Sequence, residues 1–278
     1  MARTGAIAEG RRRAAEAPPS STPDDEGKLP MDGTMADERA KGESWARETA
    51  GYPAGKRAVD VALAVALLMG AAPLILALMA LVKLTSRGPA LYSQVRAGRN
   101  GRPFTLYKIR SMTHLCEART GPVWSPANDR RVTRLGRFLR RSHLDELPQL
   151  WNVLRGEMSL VGPRPERPEF VAQLRHALPA YPQRLRVPPG ITGLAQVQLP
   201  PDCDLASVRL KLVYDLYYIE HRSARLDLQL LLCTALLLVG IPFRVSRLLV
   251  RAPGREAIEG DATVSSRVGA TGMVSQSA

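Results

Sequence analysis

Cysteine is scarce in this chain. Cys116, Cys203 and Cys233 are scattered and form no CxxC pair, which argues against a disulfide framework or a cysteine zinc site and favours a reducing compartment. Aromatic residues make up only 5% of the sequence. No zinc-finger, RRM or bZIP pattern is present, so the net charge of +13 does not mark a nucleic-acid partner. There is no internal repeat. The first apolar run begins near residue 58, too far from the start for a signal peptide.

Residues 1–50 lack a hydrophobic period and mix Pro, Ser, Gly and Ala with charges of both signs. Such a stretch cannot bury enough apolar area to offset its ordering entropy, so it reads as a disordered tail, and residues 251–278 read likewise. Through residue 57 the basic and acidic residues balance at 10 each, which places the whole positive excess in the remainder. Much of it is concentrated in residues 96–141, where 12 Lys or Arg face only Glu117 and Asp129. A basic surface of this kind expects an anionic neighbour: lipid headgroups or a phosphorylated substrate, and no nucleic acid.

The most informative feature is a run of 22 uncharged residues, 61–82, with Pro73 near its middle. That length suffices for a helix to cross a hydrocarbon core of about 30 Å. Lys56 and Arg57 precede the run and Lys83 and Arg87 follow it, so both ends ask for the cytoplasmic face. Proline kinks or breaks a helix interior. A re-entrant helix-break-helix over residues 51–88 satisfies both facts, and an ordinary span with a tolerated proline is the alternative.

The following body, residues 89–250, is long enough for one packed core. Alternation in residues 90–95 and 104–110 predicts two short strands, with Gly98, Arg99, Asn100 and Gly101 as a hairpin turn. Val132, Leu135, Phe138 and Leu139 recur at helical spacing. A second helix is expected from about Glu146 to Leu154, with Pro148 in its first turn and Gly156 as its stop. Asp145 and Glu146 at its start are ordinary capping residues by position. Arg140 and Arg141 upstream and the rigid loop Gly162-Pro163-Arg164-Pro165 downstream suggest another use. Carboxylates can hold a divalent cation while guanidinium groups bind phosphate oxygens, the pairing that phosphoryl transfer needs. After it, the apolar residues 230–239 are too short to span, and Arg244, Arg247 and Arg251 read as one face of an interfacial helix.

Together these segments resemble a known family. Lys56-Arg57 with Asp60, Tyr107-Lys108-Ile109-Arg110-Ser111-Met112, Leu144-Asp145-Glu146-Leu147-Pro148-Gln149, Asn152-Val153-Leu154 with Gly156, and Met158-Ser159-Leu160-Val161-Gly162-Pro163-Arg164-Pro165 match the bacterial sugar transferases. So do Pro189-Gly190-Ile191-Thr192-Gly193, Ala195-Gln196-Val197, Tyr214-Asp215-Leu216-Tyr217-Tyr218 and Leu226-Asp227-Leu228. These are monotopic polyprenyl-phosphate phosphoglycosyl transferases, which initiate exopolysaccharide, O-antigen and glycan assembly. The resemblance covers about residues 54–240, in order.

It implies an α+β, mainly helical fold in which a re-entrant membrane segment precedes a compact cytosolic catalytic domain with a small β-hairpin and interfacial helices. It implies transfer of a sugar-1-phosphate from a nucleotide sugar, usually UDP-linked, to undecaprenyl phosphate at the cytoplasmic face of the inner membrane, with release of UMP. By resemblance Asp145 is the nucleophile and Glu146 binds Mg²⁺ or Mn²⁺. Arg164 holds phosphate, Arg140, Lys108 and Arg110 support it, and Asp215 is either a site residue or a structural carboxylate. A homo-oligomer is compatible with the family, and a non-catalytic scaffold of the same fold is the rival reading. The chain departs from the family pattern in three places. Ala72-Pro73 replaces Ser-Pro at the membrane break, Leu194 replaces Trp, and Gln198-Leu199-Pro200 replaces Asn-Gly-Arg. Removal of residues 1–50 is expected to leave turnover intact in a lipid-product assay, and complete loss would contradict their reading as a tail.

Overall fold

A computed structural model describes residues 54–116, 129–202, 204–261, 264 and 268. The 1–50 tail, Cys203 and residues 269–278 lie outside the described residues. The first element is one helix, α1 (Ala54–Thr85), which contains Pro73 and runs through it unbroken. The expected break is therefore no gap in the helix. Pro73 removes one N–H donor, and the surrounding Ala and Leu residues favour helix strongly enough to continue past it. Met69, Leu76 and Leu84 are largely exposed, so most of the apolar surface of α1 has no partner in the body.

The two ends of α1 do have partners. Near its start, Arg57 donates from both terminal nitrogens to the carbonyls of Val153 and Leu154, and Ser159 Oγ donates to Asp60 Oδ2 at 2.7 Å. Near its end, Leu78 and Val82 pack with Ile109 and Leu139. Both termini thus dock on the same body.

The predicted hairpin is present: β1 (Leu91–Ala97) pairs antiparallel with β2 (Pro103–Ile109), Leu91 opposite Ile109. Asn100 and Gly101 both take positive φ in its turn, the backbone that Asn and Gly tolerate best. Helix α2 (Arg134–Arg141) is capped by Thr133, whose hydroxyl accepts from Gly136 N at 2.9 Å. Val132, expected inside this helix, instead forms a β-bridge with Met112. Phe138, read as part of the same helical pattern, is exposed, while Leu139 is fully buried. Helix α3 (Gln149–Arg155) ends at Gly156, whose φ of 82° is the left-handed closure that glycine supplies without strain.

A second sheet was not legible in the sequence pattern. Strands β3 (Ser159–Val161) and β4 (Gly190–Thr192) pair in parallel, and each is only three residues long. The backbones approach so closely there that a Cβ on Gly190 would lie 2.1 Å from Gly162 N. Helices α4 (Pro168–Ala177), α5 (Leu194–Gln198), α6 (Leu205–His221) and α7 (Ala224–Leu238) enclose the main core. Leu194, the departure from the family's Trp, is 1% exposed and fills that core.

Helix α8 (Phe243–Val250) follows, and then α9 (Arg255–Glu259). The expectation of a tail from residue 251 fails here. Ile258, Val264 and Val268 are buried in the main cluster, because a few isolated apolar residues close the core without creating a period that sequence reading can detect.

Asn152 joins these parts. Fully buried, it donates from Nδ2 to Thr105 O and Glu157 Oε2, both at 2.7 Å, and accepts from Tyr107 N at 3.2 Å. Asn152→Ala leaves buried backbone groups of β2 unsatisfied and is expected to cost roughly 2–3 kcal/mol, read as a lowered denaturation midpoint of the detergent-solubilised protein.

Candidate active site

Between α2 and α3 the chain makes a tight turn. His143 takes φ 54°, and residues Leu144–Glu146 form one turn of 3₁₀ helix. Pro148 then occupies the N-cap position of α3, where its missing N–H is no loss. The helix expected from Glu146 therefore begins at Gln149, and the two carboxylates sit on a separate, tighter turn before it. Adjacent side chains on so sharp a turn diverge, and the surroundings of Asp145 and Glu146 do differ.

Glu146 is held between two cations. Lys108 Nζ from β2 donates to Glu146 Oε1 at 2.7 Å, and Arg164 Nη2 from the loop after β3 donates to the same oxygen at 2.8 Å. Burial alone pulls the carboxyl upward, but the charges and hydrogen bonds of Arg164 and Lys108 outweigh it and hold Glu146 well below the usual carboxylate range. Asp145 is equally secluded, at 6% exposure. Its carboxylate makes no hydrogen bond or ion pair among the described residues. Burial pushes it up from the ordinary value and Glu146 adds to the rise, while Lys108, Arg140 and Arg164 oppose it. One carboxylate is fixed and ionised; its neighbour is desolvated and free, as a nucleophile must be.

Of the other sequence candidates, Arg140 lies near enough to act on Asp145 and donates from Nε to Ser111 Oγ at 2.9 Å. Arg110 points elsewhere. Its Nη2 donates to Ser86 O at 2.9 Å and Ser86 Oγ at 2.7 Å, at the exit of α1. Buried Nε and Nη1 of Arg110 have no acceptor among the described residues. Pro73 lies within α1 and joins no site side chain among the described contacts.

Asp215 is a supporting group. Arg184 Nε donates to its Oδ2 at 2.9 Å, Nη1 to the Tyr181 hydroxyl oxygen at 2.7 Å, and Nη2 to the Arg164 carbonyl at 3.0 Å. Burial would lower Arg184, but Tyr181 and Asp215 outweigh it and keep the guanidinium firmly charged. Asp215 therefore acts through Arg184 on the backbone of Arg164. Sequence reading missed Arg184, since nothing in the spacing around Pro182 marks it. Gln149, part of the motif quoted for the resemblance, is 2% exposed and its Nε2 lacks an acceptor among the described residues.

A divalent cation fits this donor set in one limited way. Among the described residues no group of three or more His, Cys, Asp or Glu gathers to form an all-protein metal cage. Mg²⁺ commonly uses only one or two carboxylates, water and the phosphates of its substrate. Glu146 Oε2 accepts no hydrogen bond among the described residues and, with Asp145 beside it, supplies that minimal set.

Comparison with known proteins finds a family and several relatives. The family described as "Bacterial sugar transferase" matches residues 52–240. The UDP-N-acetylgalactosamine-undecaprenyl-phosphate N-acetylgalactosaminephosphotransferase of Aeromonas hydrophila is 44% identical over 172 residues, 62% of this chain and 40% of that protein. The UDP-glucose:undecaprenyl-phosphate glucose-1-phosphate transferase of Xanthomonas campestris pv. campestris is 42% identical over 194 residues, 68% of this chain and 40% of that one. The exopolysaccharide production protein PSS of Rhizobium leguminosarum bv. phaseoli is 40% identical over 185 residues, 64% of this chain and 92% of that one. The chain thus spans well under half of the first two relatives and nearly all of the third.

Because Glu146 raises Asp145, its replacement by Gln removes a repulsive charge and releases Lys108 and Arg164 toward Asp145. Glu146→Gln is therefore expected to lower the titration midpoint of Asp145, measured by ¹³C-carboxyl NMR of labelled aspartate; an unchanged or raised midpoint contradicts the coupling.

Proposed function

Since the chain belongs to the bacterial sugar transferase family, we propose that it transfers a sugar-1-phosphate from a UDP-sugar to undecaprenyl phosphate through a covalent aspartyl phosphosugar intermediate, an acyl phosphate on Asp145. The observation that carries this reading is the unpaired, buried carboxylate of Asp145 beside the doubly ion-paired Glu146.

In the first step an Asp145 Oδ attacks the sugar-bearing phosphorus. The bond from that phosphorus to the oxygen bridging to the uridine phosphate breaks, and UMP leaves with the electron pair. In the second step a phosphate oxygen of the polyprenyl acceptor attacks the same phosphorus, forming the lipid diphosphate and returning Asp145 to a carboxylate. Splitting one displacement into two lets donor and acceptor use the same cleft in turn. Arg164, half-exposed beside Glu146, and Lys108 are placed to balance charge on the diphosphate, with Arg140 near the nucleophile. Mg²⁺ bound through Glu146 and the diphosphate would neutralise the charge that develops on UMP. Arg110, buried and held on Ser86, is given no part in these steps.

Membrane association follows from α1, which is long and apolar enough to enter a bilayer. A re-entrant course at the cytoplasmic face is the preferred reading. Its support is that Arg57 and Asp60 at one end and Leu78 and Val82 at the other all contact one body, which a span would separate by about 30 Å of hydrocarbon. The donor sugar is left open, because the relatives named above act on different ones.

The test incubates membranes with labelled UDP-sugars, Mg²⁺ and undecaprenyl phosphate. Asp145→Asn is expected to lose about a thousandfold or more of lipid product and to abolish the aspartyl adduct that mass spectrometry detects after donor alone. Equal activity in the variant rejects the nucleophile, and no activity in either protein across a panel of sugars favours the non-catalytic scaffold.

A further inference from the structure

The C-terminal part of the chain builds a second basic pocket, remote in sequence from the carboxylate turn and partly beyond residue 240, where the family match ends. It has a volume of about 230 Å³ and is lined by Tyr217 and His221 at the end of α6, Arg225 and Gln229 on the first turns of α7, and Arg251 and Pro253 after α8. Its shape is fixed by its own contacts. Gln229 Nε2 donates to the Arg251 carbonyl at 3.0 Å, and Ala252 N donates to Arg247 O at 3.0 Å. Between them Arg251 is held at φ 54°, a left-handed conformation that costs a non-glycine residue free energy and is found at sites where the surrounding structure enforces it.

The charges in this pocket are unbalanced. Two carboxylates beside its lining residues are already engaged: Asp261 with His221 Nε2 at 3.3 Å, and Asp227 with Lys56 and the Tyr218 hydroxyl. His221 is further tied down by stacking on Tyr217, with ring centroids 4.1 Å apart. Arg225 and Arg251 are both exposed, and their side chains make no ion pair or hydrogen bond among the described residues. Two unpaired guanidinium groups on one concavity suit a phosphate diester, each offering a planar fork of donors.

The surface around the pocket identifies the source of that phosphate. Arg225, Leu228, Gln229 and Leu232 recur at helical spacing on α7, and Leu228 and Leu232 are 57% and 44% exposed. Leu238, Val239 and Leu248 are exposed as well. A soluble anion would gain nothing from these side chains, whereas acyl chains would cover them.

We propose that this pocket binds the headgroup of one anionic phospholipid, with Arg225 and Arg251 on its phosphate and the lipid tails along Leu228 and Leu232. The site would fix the C-terminal helices against the bilayer independently of α1, and it stands or falls separately from the transfer reaction.

The experiment uses the full chain in detergent micelles doped with phosphatidylglycerol or phosphatidylcholine, and native mass spectrometry counts retained lipids. The expected result is one phosphatidylglycerol that is lost, with affinity falling roughly tenfold or more, in the double variant Arg225→Gln/Arg251→Gln and kept in Arg225→Lys/Arg251→Lys. Phosphatidylcholine should not replace it, and glycerol phosphate at the same concentration should not compete. Retention by the glutamine variant equal to wild type overturns the site. Displacement by glycerol phosphate overturns the lipid assignment in favour of a soluble anion. Should the glutamine variant fold poorly, the competition on wild-type protein still decides.

Discussion

A buried carboxylate between two cations holds the active region together. Glu146 receives Lys108 from the hairpin and Arg164 from the loop after β3, so one side chain ties three segments that are distant in sequence. Buried ion pairs add little net stability, since desolvation offsets much of their attraction, but removing one partner is costly because it strands the other charges. The triad is therefore better understood as a device for geometry than for stability. It gathers positive charge beside Asp145 without neutralising Asp145 itself. A single carboxylate among those cations would pair with them; with two adjacent, Glu146 takes the pairing and Asp145 stays unpaired among the described residues.

The same turn is coupled to the membrane segment through α3. Arg57 sits on the carbonyls of the last turn of α3, where a cation satisfies unpaired acceptors and complements the helix dipole. The carboxylate turn lies just before the other end of α3. With only seven residues between, α3 is a short rigid strut of about 10 Å. Asn152 in its middle fixes the hairpin that carries Lys108. Lys56 and Tyr218 meet on Asp227, which ties α7 to the same end of α1. These contacts fix the position of the site relative to the start of α1.

Much of this was legible in the residues. The hairpin and its turn followed from alternation and Gly98-Arg99-Asn100-Gly101, and the glycine stop of α3 from Gly156. Resemblance singled out Asp145, Glu146, Lys108 and Arg164, and the structure gathers them. What could not be read depended on contacts between distant segments. Strands of three residues carry no alternation, so β3 and β4 were missed. Lys108 and Arg110 look equivalent in a motif, yet only Lys108 reaches Glu146, because Arg110 lies just past the end of β2 and is drawn to Ser86. Asp215 showed its charge but not its partner, since Arg184 is 31 residues away. The buried residues beyond 250 were too sparse to form a period.

Pro73 and the ends of α1 combine into a constraint on how the proposed membrane segment sits. A straight helix of 32 residues is about 48 Å long, more than a bilayer core requires. Such a helix cannot lie wholly in hydrocarbon along its axis and keep both ends on one protein surface at the same membrane face. Proline at the midpoint leaves the carbonyl of Met69 without its usual donor, a weak point at which a helix bends at small cost. Family members with serine before the proline can return a hydroxyl to the freed backbone; Ala72 cannot. In the re-entrant course proposed above, a bend at Pro73 would rest on the docking of the two ends, through Arg57, Asp60, Leu78 and Val82, rather than on a local hydrogen bond.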